Sequence, residues 1–164
     1  MISREETIQR LVLHEGCKLN PYYCSAGYLT VGIGRNLETN PLSKEEKRVC
    51  GDYMKGISRN AAYFLLKNDI DRAEAECRNN IPFWNELDNE RQYALLDMCF
   101  QMGIKGLKGF KKMLSAMGVG YWKTASDECL DSDYARNDSP LRAKRIAKTI
   151  ETGKFDYNLK LEEI

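Results

Sequence analysis

Three side chains within the first 30 residues carry groups that could do acid–base or nucleophilic chemistry. Glu15 supplies a carboxyl, Cys24 a thiol and Thr30 a hydroxyl, with eight residues between the first two and five between the last two. A protonated carboxyl can act as a general acid, and an ionised thiol can act as a base or a nucleophile. His14 is the only histidine, so a cysteine peptidase or amidase would have to activate Cys24 through it.

The elements predicted around these side chains form a small lobe. Apolar residues at helical spacing, behind a capping-box pattern, predict a first helix over residues 1–14. Short β-prone runs on both sides of residues 25–27 (Ser-Ala-Gly) predict a β-hairpin. Such a hairpin would place Cys24 at a strand end and Thr30 on the return strand, with Glu15 at the base of the lobe.

The remaining pattern is helical and predicts an α+β fold in a single domain spanning 1–164. A small hairpin-rich lobe at 15–60 is joined by a connecting helix at 61–80 to a helical lobe at 81–164. We expect the first helix to pack on the helical lobe and a cleft for ligands to lie between the lobes. The signals that begin or end the helices are Ser58, Ile81-Pro82, Asp88, Ser139-Pro140 and Gly153.

Composition and charge exclude several classes of protein. With 164 residues, 43% apolar and 30% charged, the chain has the composition of a globular protein. Its net charge of +1 disfavours a dedicated nucleic-acid binder. We expect no signal peptide and no membrane span. The 6 cysteines contain no C-x-x-C pair, so we expect no zinc site and reduced thiols in a cytosolic protein.

Three blocks of sequence resemble one known family in order and in spacing. The blocks are His14-Glu15-Gly16 with Pro21-Tyr22 and Gly27-Tyr28-Leu29-Thr30-Val31-Gly32-Ile33-Gly34; Phe100-Gln101-Met102-Gly103 with Gly109-Phe110; and Arg142-Ala143-Lys144-Arg145 with Thr152-Gly153. They resemble the phage-type lysozymes, the endolysins of T-even and related bacteriophages (glycoside hydrolase family 24). The resemblance covers almost the whole chain.

The resemblance implies a lysozyme-like fold and a muramidase that cleaves peptidoglycan between N-acetylmuramic acid and N-acetylglucosamine without a cofactor. By the same resemblance Glu15 is the general acid and Thr30 helps to hold the attacking water. Cys24 stands where the best-known members carry Asp, which predicts a Glu-Cys-Thr variant of the catalytic group. Glycoside hydrolysis needs an acid for the leaving oxygen and an anion or base opposite it. Cys24 could therefore orient water as a thiolate or attack as a nucleophile, and the family's inverting chemistry favours the first.

Further positions carry supporting roles in the resembled family. We expect Arg142 to pair with Glu15, and Arg35 to form a structural pair with Asp69. Phe100 serves equally well as a sugar contact or as plain core. The substrate-binding candidates are Asn36, Phe100 and Gln101, and the supporting candidates are Arg142, Arg35 and Asp69.

Charge distribution predicts a preference for an anionic partner. Residues 105–150 carry ten Lys and Arg against five Asp and Glu, which suits attraction to anionic peptidoglycan. The resemblance implies a monomer that stays in the host cytoplasm until lysis and depends on a holin to reach the periplasm and cell wall. Three alternatives stay open at this point: a lytic transglycosylase, a non-catalytic wall-binding module, and the cysteine enzyme that would use His14.

Overall fold

The structure, a computed structural model, describes residues 1–157. Within that range it contains seven α-helices and three strands, with two short 3₁₀ turns and one π-helical turn at Tyr134–Asp138. The elements in chain order are α1 Arg4–Glu15, β1 Lys18–Tyr23, β2 Leu29–Gly32, β3 Arg35–Asn36, α2 Lys44–Cys50, α3 Arg59–Asn80, α4 Asn89–Lys108, α5 Lys111–Gly118, α6 Trp122–Leu130 and α7 Pro140–Thr152. This confirms the predicted α+β fold.

The first compact unit spans Ser3–Arg72 and contains α1, the sheet, α2 and the first half of α3. Its three strands are antiparallel in the order β1-β2-β3, and β1 carries a bulge between Lys18 and Tyr22. The inner face of the sheet is apolar, since Val31 and Ile33 are almost completely buried. Each hairpin has a short connection, so the side chains at its turn lie close together in sequence and in space.

The helix α1 spans Arg4–Glu15, against the predicted 1–14, and sequence signals mark both of its ends. The Ser3 side chain accepts a hydrogen bond from the Glu6 backbone, and Glu5 and Glu6 place negative charge in the first turn. Gly16, with φ 67°, ends the helix and leaves Glu15 as its last residue. The first catalytic candidate therefore sits on a helix end that leads directly into β1.

The second compact unit contains Met1–Ile2 and the chain from Ala73 onwards. Its centre is α4, in which every residue from 92 to 99 is buried. The backbone of α4 breaks at Gly103, which has φ 74° and ψ 166°. The helix α7 begins with Pro140 and ends at Gly153, whose left-handed conformation closes it.

The predicted lobes and the two compact units have different boundaries. The connecting helix predicted at 61–80 corresponds to α3, although the boundary between the units falls inside it, at 72/73. The helix α1 belongs to the same unit as the sheet; its predicted packing on the helical lobe, and the predicted cleft, stay predictions. The last part of the predicted helical lobe, 158–164, lies outside the described residues. None of the helices within 1–157 is long and apolar enough to cross a membrane.

Candidate active site

Glu15 lies against the turn between β2 and β3. A Cβ atom built on Gly34 would stand 2.7 Å from Glu15 Oε2 and 2.9 Å from Glu15 Cδ, which is closer than carbon atoms pack. Gly34 also has φ 72°, a left-handed conformation that favours glycine. Because Gly34 has no side chain, the half-buried Glu15 carboxyl can rest directly on the backbone of this turn. Gly34 therefore allows the Glu15 carboxyl to contact the backbone of the turn.

Cys24 lies at the tip of the β1–β2 hairpin. Its N–H donates to the Tyr28 carbonyl at 3.0 Å, and its own carbonyl accepts from the Gly27 N–H at 2.8 Å. Gly27, with φ 83°, closes the three-residue loop in a left-handed conformation. The predicted hairpin is confirmed, and Cys24 follows the last residue of β1 as expected.

The surroundings of Cys24 favour its thiolate form. Partial burial by itself would raise the pKa of the thiol, but hydrogen bonds to the backbone at Tyr28 and Ala26, and to the Thr30 side chain, outweigh burial and lower the pKa below its ordinary value. The Thr30 hydroxyl also donates to the Tyr28 carbonyl at 3.0 Å. Since a hydroxyl has one proton to give, Thr30 donates either to the Tyr28 carbonyl or to the Cys24 sulfur at any one time. Thr30 is 3% exposed.

Glu15 and Cys24 act on a common neighbour, Tyr22. Burial raises the pKa of the Tyr22 hydroxyl, and the charges of Glu15 and Cys24 raise it further. Tyr22 also pairs with Thr30 across β1 and β2. The carboxyl, the thiol and the hydroxyl that the sequence singled out are therefore gathered around one tyrosine within the unit Ser3–Arg72.

A buried ionic cluster holds β3 beside this turn. Arg35, 2% exposed, donates its Nε–H to Asp69 Oδ2 at 2.8 Å, which confirms the predicted pair. It also donates to Glu46 Oε1 at 2.7 Å and to Glu46 Oε2 at 3.1 Å. Hydrogen bonds from Arg35 hold the pKa of Glu46 at about 2, well below its usual range. The cluster ties β3 to α2 and α3, so the turn that carries Gly34 has a fixed anchor.

Asn36, proposed as a sugar contact, forms side-chain hydrogen bonds to the loop that follows β3. Its Oδ1 accepts from the backbone N–H of Glu38 at 2.9 Å and of Thr39 at 3.0 Å. These bonds form an Asx turn that shapes the loop after β3. Its role toward a sugar stays a prediction.

Two substrate-binding candidates lie near the break in α4. Phe100 and Gln101 are both half-buried, and Gln101 Nε2 donates to Ser139 Oγ at 2.5 Å. Gln101 Oε1 is buried and has no hydrogen-bond partner among the described residues. Gln101 also borders a groove of about 870 Å³ in the helical unit, whose wall includes Phe110 and Tyr134. Its role toward a substrate stays a prediction.

Arg142 on α7 is positioned by a buried carboxylate. Its Nε–H donates to Asp97 Oδ1 at 2.7 Å, and the Tyr93 hydroxyl donates to Asp97 Oδ2 at 2.9 Å. Arg142 is 9% and Asp97 0% exposed. The pair orients the guanidinium within the helical unit, and the predicted pairing of Arg142 with Glu15 stays a prediction.

Comparison with known proteins decides the family. The chain matches the phage lysozyme family over residues 12–148. It belongs to the phage lysozyme family. This confirms the resemblance seen in the sequence and makes the chain a member of a family of glycoside hydrolases. The roles of individual side chains in catalysis stay predictions.

The relatives of this chain come from a eukaryote and from a bacteriophage. It is 33% identical over 155 residues to Probable T4-type lysozyme 1 of Dictyostelium discoideum, covering 85% of this chain and 89% of that protein. It is 30% identical over 153 residues to Probable T4-type lysozyme 2 of the same organism, with the same shares covered. It is also 30% identical over 155 residues to the pre-baseplate central spike protein of Enterobacteria phage T4. That match covers 87% of this chain but only 27% of the spike protein.

Sequence reasoning missed three residues that shape the two units. Glu46 stands three positions after Ser43, and their capping box was a readable signal for the start of α2 though not for a pair with Arg35. Asp97 is a lone acid in the apolar run of α4, a pattern that signals a buried partner. Tyr22 appeared only as part of the resemblance, without a role. No group of residues within 1–157 has the arrangement of a metal site.

Proposed function

We propose that this chain is a muramidase that hydrolyses the β-1,4 bond between N-acetylmuramic acid and N-acetylglucosamine in bacterial peptidoglycan, in the service of host cell lysis. The observation that carries the proposal is the gathering of Glu15, Cys24 and Thr30 around Tyr22 in a chain of the phage lysozyme family. An acid and a base on opposite sides of a glycosidic bond are what its hydrolysis requires.

Glu15 is the general acid of this proposal. Its carboxyl gives a proton to the glycosidic oxygen as the bond to the sugar carbon breaks. Contact with Gly34 supports this role, because it restricts the carboxyl to one side of the site without covering it with a side chain. A group held in this way needs little reorganisation when the substrate binds.

Cys24 and Thr30 hold and activate the attacking water. The water oxygen forms the new bond to the sugar carbon, and its proton passes to the Cys24 sulfur. The lowered pKa of Cys24 supports this role, since more of the thiol is ionised at neutral pH than for an ordinary cysteine. Attack by Cys24 itself would instead leave a thioglycosyl intermediate, which mass spectrometry of the intact protein during turnover would detect.

Peptidoglycan is the proposed partner. The unpartnered oxygen of Gln101 supports a hydrogen bond to an N–H of the substrate. Phe100 offers an apolar surface to a sugar ring, and Asn36 is the third contact. We further propose that the enzyme acts as a monomer, without a cofactor, and reaches the wall from the host cytoplasm when a holin opens the membrane.

Product analysis tests this proposal against its alternatives. Purified sacculi are digested with the enzyme, and the released muropeptides are analysed by mass spectrometry. A muramidase leaves reducing N-acetylmuramic acid ends, each carrying the added water. Anhydro-muramic ends would instead identify a lytic transglycosylase, and binding to sacculi without release of any ends would identify a wall-binding module.

The Cys24 series then tests the mechanism. Cys24→Asp is expected to keep activity, because a carboxylate can also hold and activate water. Cys24→Ala is expected to remove nearly all activity while leaving the fold intact. Full activity in Cys24→Ala would contradict the role given to the thiol.

A further inference from the structure

Tyr22 lies on the face of the hairpin that carries the proposed catalytic groups. Residues that pair directly across antiparallel strands point to the same face, with Cβ atoms about 4.5–5.5 Å apart. Tyr22 pairs with Thr30 in this way. Cys24 is two positions further along the chain and so points to that face as well. Tyr23 pairs with Leu29 and points to the opposite face.

The Tyr22 ring is held while its hydroxyl is left available. The Lys18 ammonium stands 4.2 Å from the centre of the ring, a cation–π contact between the first residue of β1 and a tyrosine near its end. The side chain is half-buried. Within residues 1–157 the structure shows no hydrogen bond from its hydroxyl to another residue.

The electrostatic surroundings keep this hydroxyl protonated. Burial raises the pKa of Tyr22, and the charges of Glu15 and Cys24 raise it further. A phenol whose ionisation is opposed in this way stays a hydrogen-bond donor throughout the pH range in which an enzyme works.

We propose that Tyr22 is a substrate-positioning residue, whose hydroxyl donates a hydrogen bond to an oxygen of the sugar that is cleaved between Glu15 and Cys24. This inference rests on the proposed function and extends it to the Tyr22 hydroxyl, which has no part in the roles given to Glu15, Cys24 and Thr30. Amino sugars present hydroxyl and acetamido oxygens, all of which are acceptors for a phenol. A donor placed between the acid and the base would hold the sugar so that its glycosidic bond faces both.

Tyr22→Phe and Tyr23→Phe form a matched pair for a test. Both remove one hydroxyl from the same strand, but Tyr23 points away from the site and is 72% exposed. Loss of one neutral hydrogen bond to the substrate corresponds to a fall of about 3–10-fold in kcat/KM. We expect this fall on soluble peptidoglycan fragments for Tyr22→Phe, with unchanged thermal stability, and no change for Tyr23→Phe. Equal activity of the two variants would overturn the proposal.

A second measurement keeps Tyr22 in place, in a protein that cannot cleave its substrate, and separates positioning from a merely structural role. The tyrosines are isotope-labelled and titrated by NMR with and without a soluble peptidoglycan fragment, in the Glu15→Gln background so that no cleavage occurs. A hydroxyl that donates to the sugar must keep its proton, so the fragment is expected to raise further the pKa of one tyrosine, which Tyr22→Phe removes from the spectrum. A Tyr22 signal that titrates identically with and without bound fragment would overturn the proposal.

The two hypotheses fail in different ways. If wild type releases no reducing ends from sacculi, the proposed function fails for every variant. If wild type cleaves sacculi and Tyr22→Phe matches it in rate and in fragment binding, the proposed function stands and the role of Tyr22 alone is wrong.

Discussion

Replacement of Gly34 by alanine should separate the position of the acid from the stability of the fold. The added methyl would stand 2.7 Å from Glu15 Oε2 and 2.9 Å from Glu15 Cδ. Both distances are shorter than real contacts of a Cβ atom, so the Glu15 carboxyl has to move. The substitution also places a Cβ on a residue with φ 72°, and the left-handed conformation costs a non-glycine residue about 1–2 kcal/mol.

The two effects have different expected sizes. The backbone term lowers the free energy of unfolding by about 1–2 kcal/mol, which a domain of ordinary stability of about 5–15 kcal/mol tolerates. Displacement of the carboxyl acts on catalysis instead, because a shift of about 1 Å in a catalytic group can cost about 100-fold in rate. We therefore expect Gly34→Ala to fold but to lyse sacculi about 100-fold more slowly than wild type.

Gly51→Ala is the control for backbone strain. Gly51 has φ 63° and ends α2, and nothing lies within 4 Å of a Cβ built on it. It should lose a similar amount of stability and keep the lysis rate of wild type. Denaturant unfolding and the turbidity of purified sacculi measure the two quantities. If Gly34→Ala and Gly51→Ala lyse sacculi equally fast, the contact between Glu15 and Gly34 does not position the acid.

Three further outcomes follow from the site and its anchor. Glu46→Gln leaves the buried Arg35 paired with Asp69 and a neutral amide, and should lower the free energy of unfolding by about 1–3 kcal/mol, measured with denaturant. Because the folded protein holds the pKa of Glu46 at about 2, below its ordinary value of about 4.5, its stabilising effect is complete above that ordinary value and is lost as the pH falls toward 2. Acid unfolding followed by circular dichroism should therefore show a weaker pH dependence in Glu46→Gln, and an identical slope would contradict the buried pair. Iodoacetamide should alkylate Cys24 well before Cys129, because burial raises the pKa of Cys129 to about 12. Peptide mass analysis measures the modification of each cysteine, and the lysis rate should fall as the modified fraction of Cys24 rises.

Local sequence signals predicted the elements of the fold because each depends on a few neighbouring residues. The capping residues Ser3 and Asp88 stand at the starts of α1 and α4, and Pro140 begins α7. The π-helical turn at Tyr134–Asp138 and the break at Gly103 were not predicted. The break at Gly103 needs only the positive φ that glycine adopts freely, and nothing lies within 4 Å of a Cβ built on it.

The candidate site was predictable in its residue types but not in its contacts. The resemblance pointed to Glu15, Cys24 and Thr30, and the hairpin prediction explained how two of them could meet. The seat that Gly34 offers to Glu15 and the register that pairs Tyr22 with Thr30 are long-range facts. A single sequence has no periodicity that reports them.

Buried ionic contacts show the same limit. The pair between Arg35 and Asp69 was predicted from the resemblance, and the structure confirms it. Its second carboxylate, Glu46, comes from α2, and only the folded chain brings that helix to β3. The folded structure, rather than spacing along the chain, determines which charged side chains form ion pairs.

The lysis rate of Glu15→Gln on purified sacculi tests the central claim most directly. The amide has almost the size of the carboxyl but cannot donate a proton to the glycosidic oxygen, so the account predicts a protein with wild-type stability that still binds sacculi and releases no reducing ends. Release of reducing ends at a substantial fraction of the wild-type rate would show that Glu15 is not the acid, and the account of the site would be wrong.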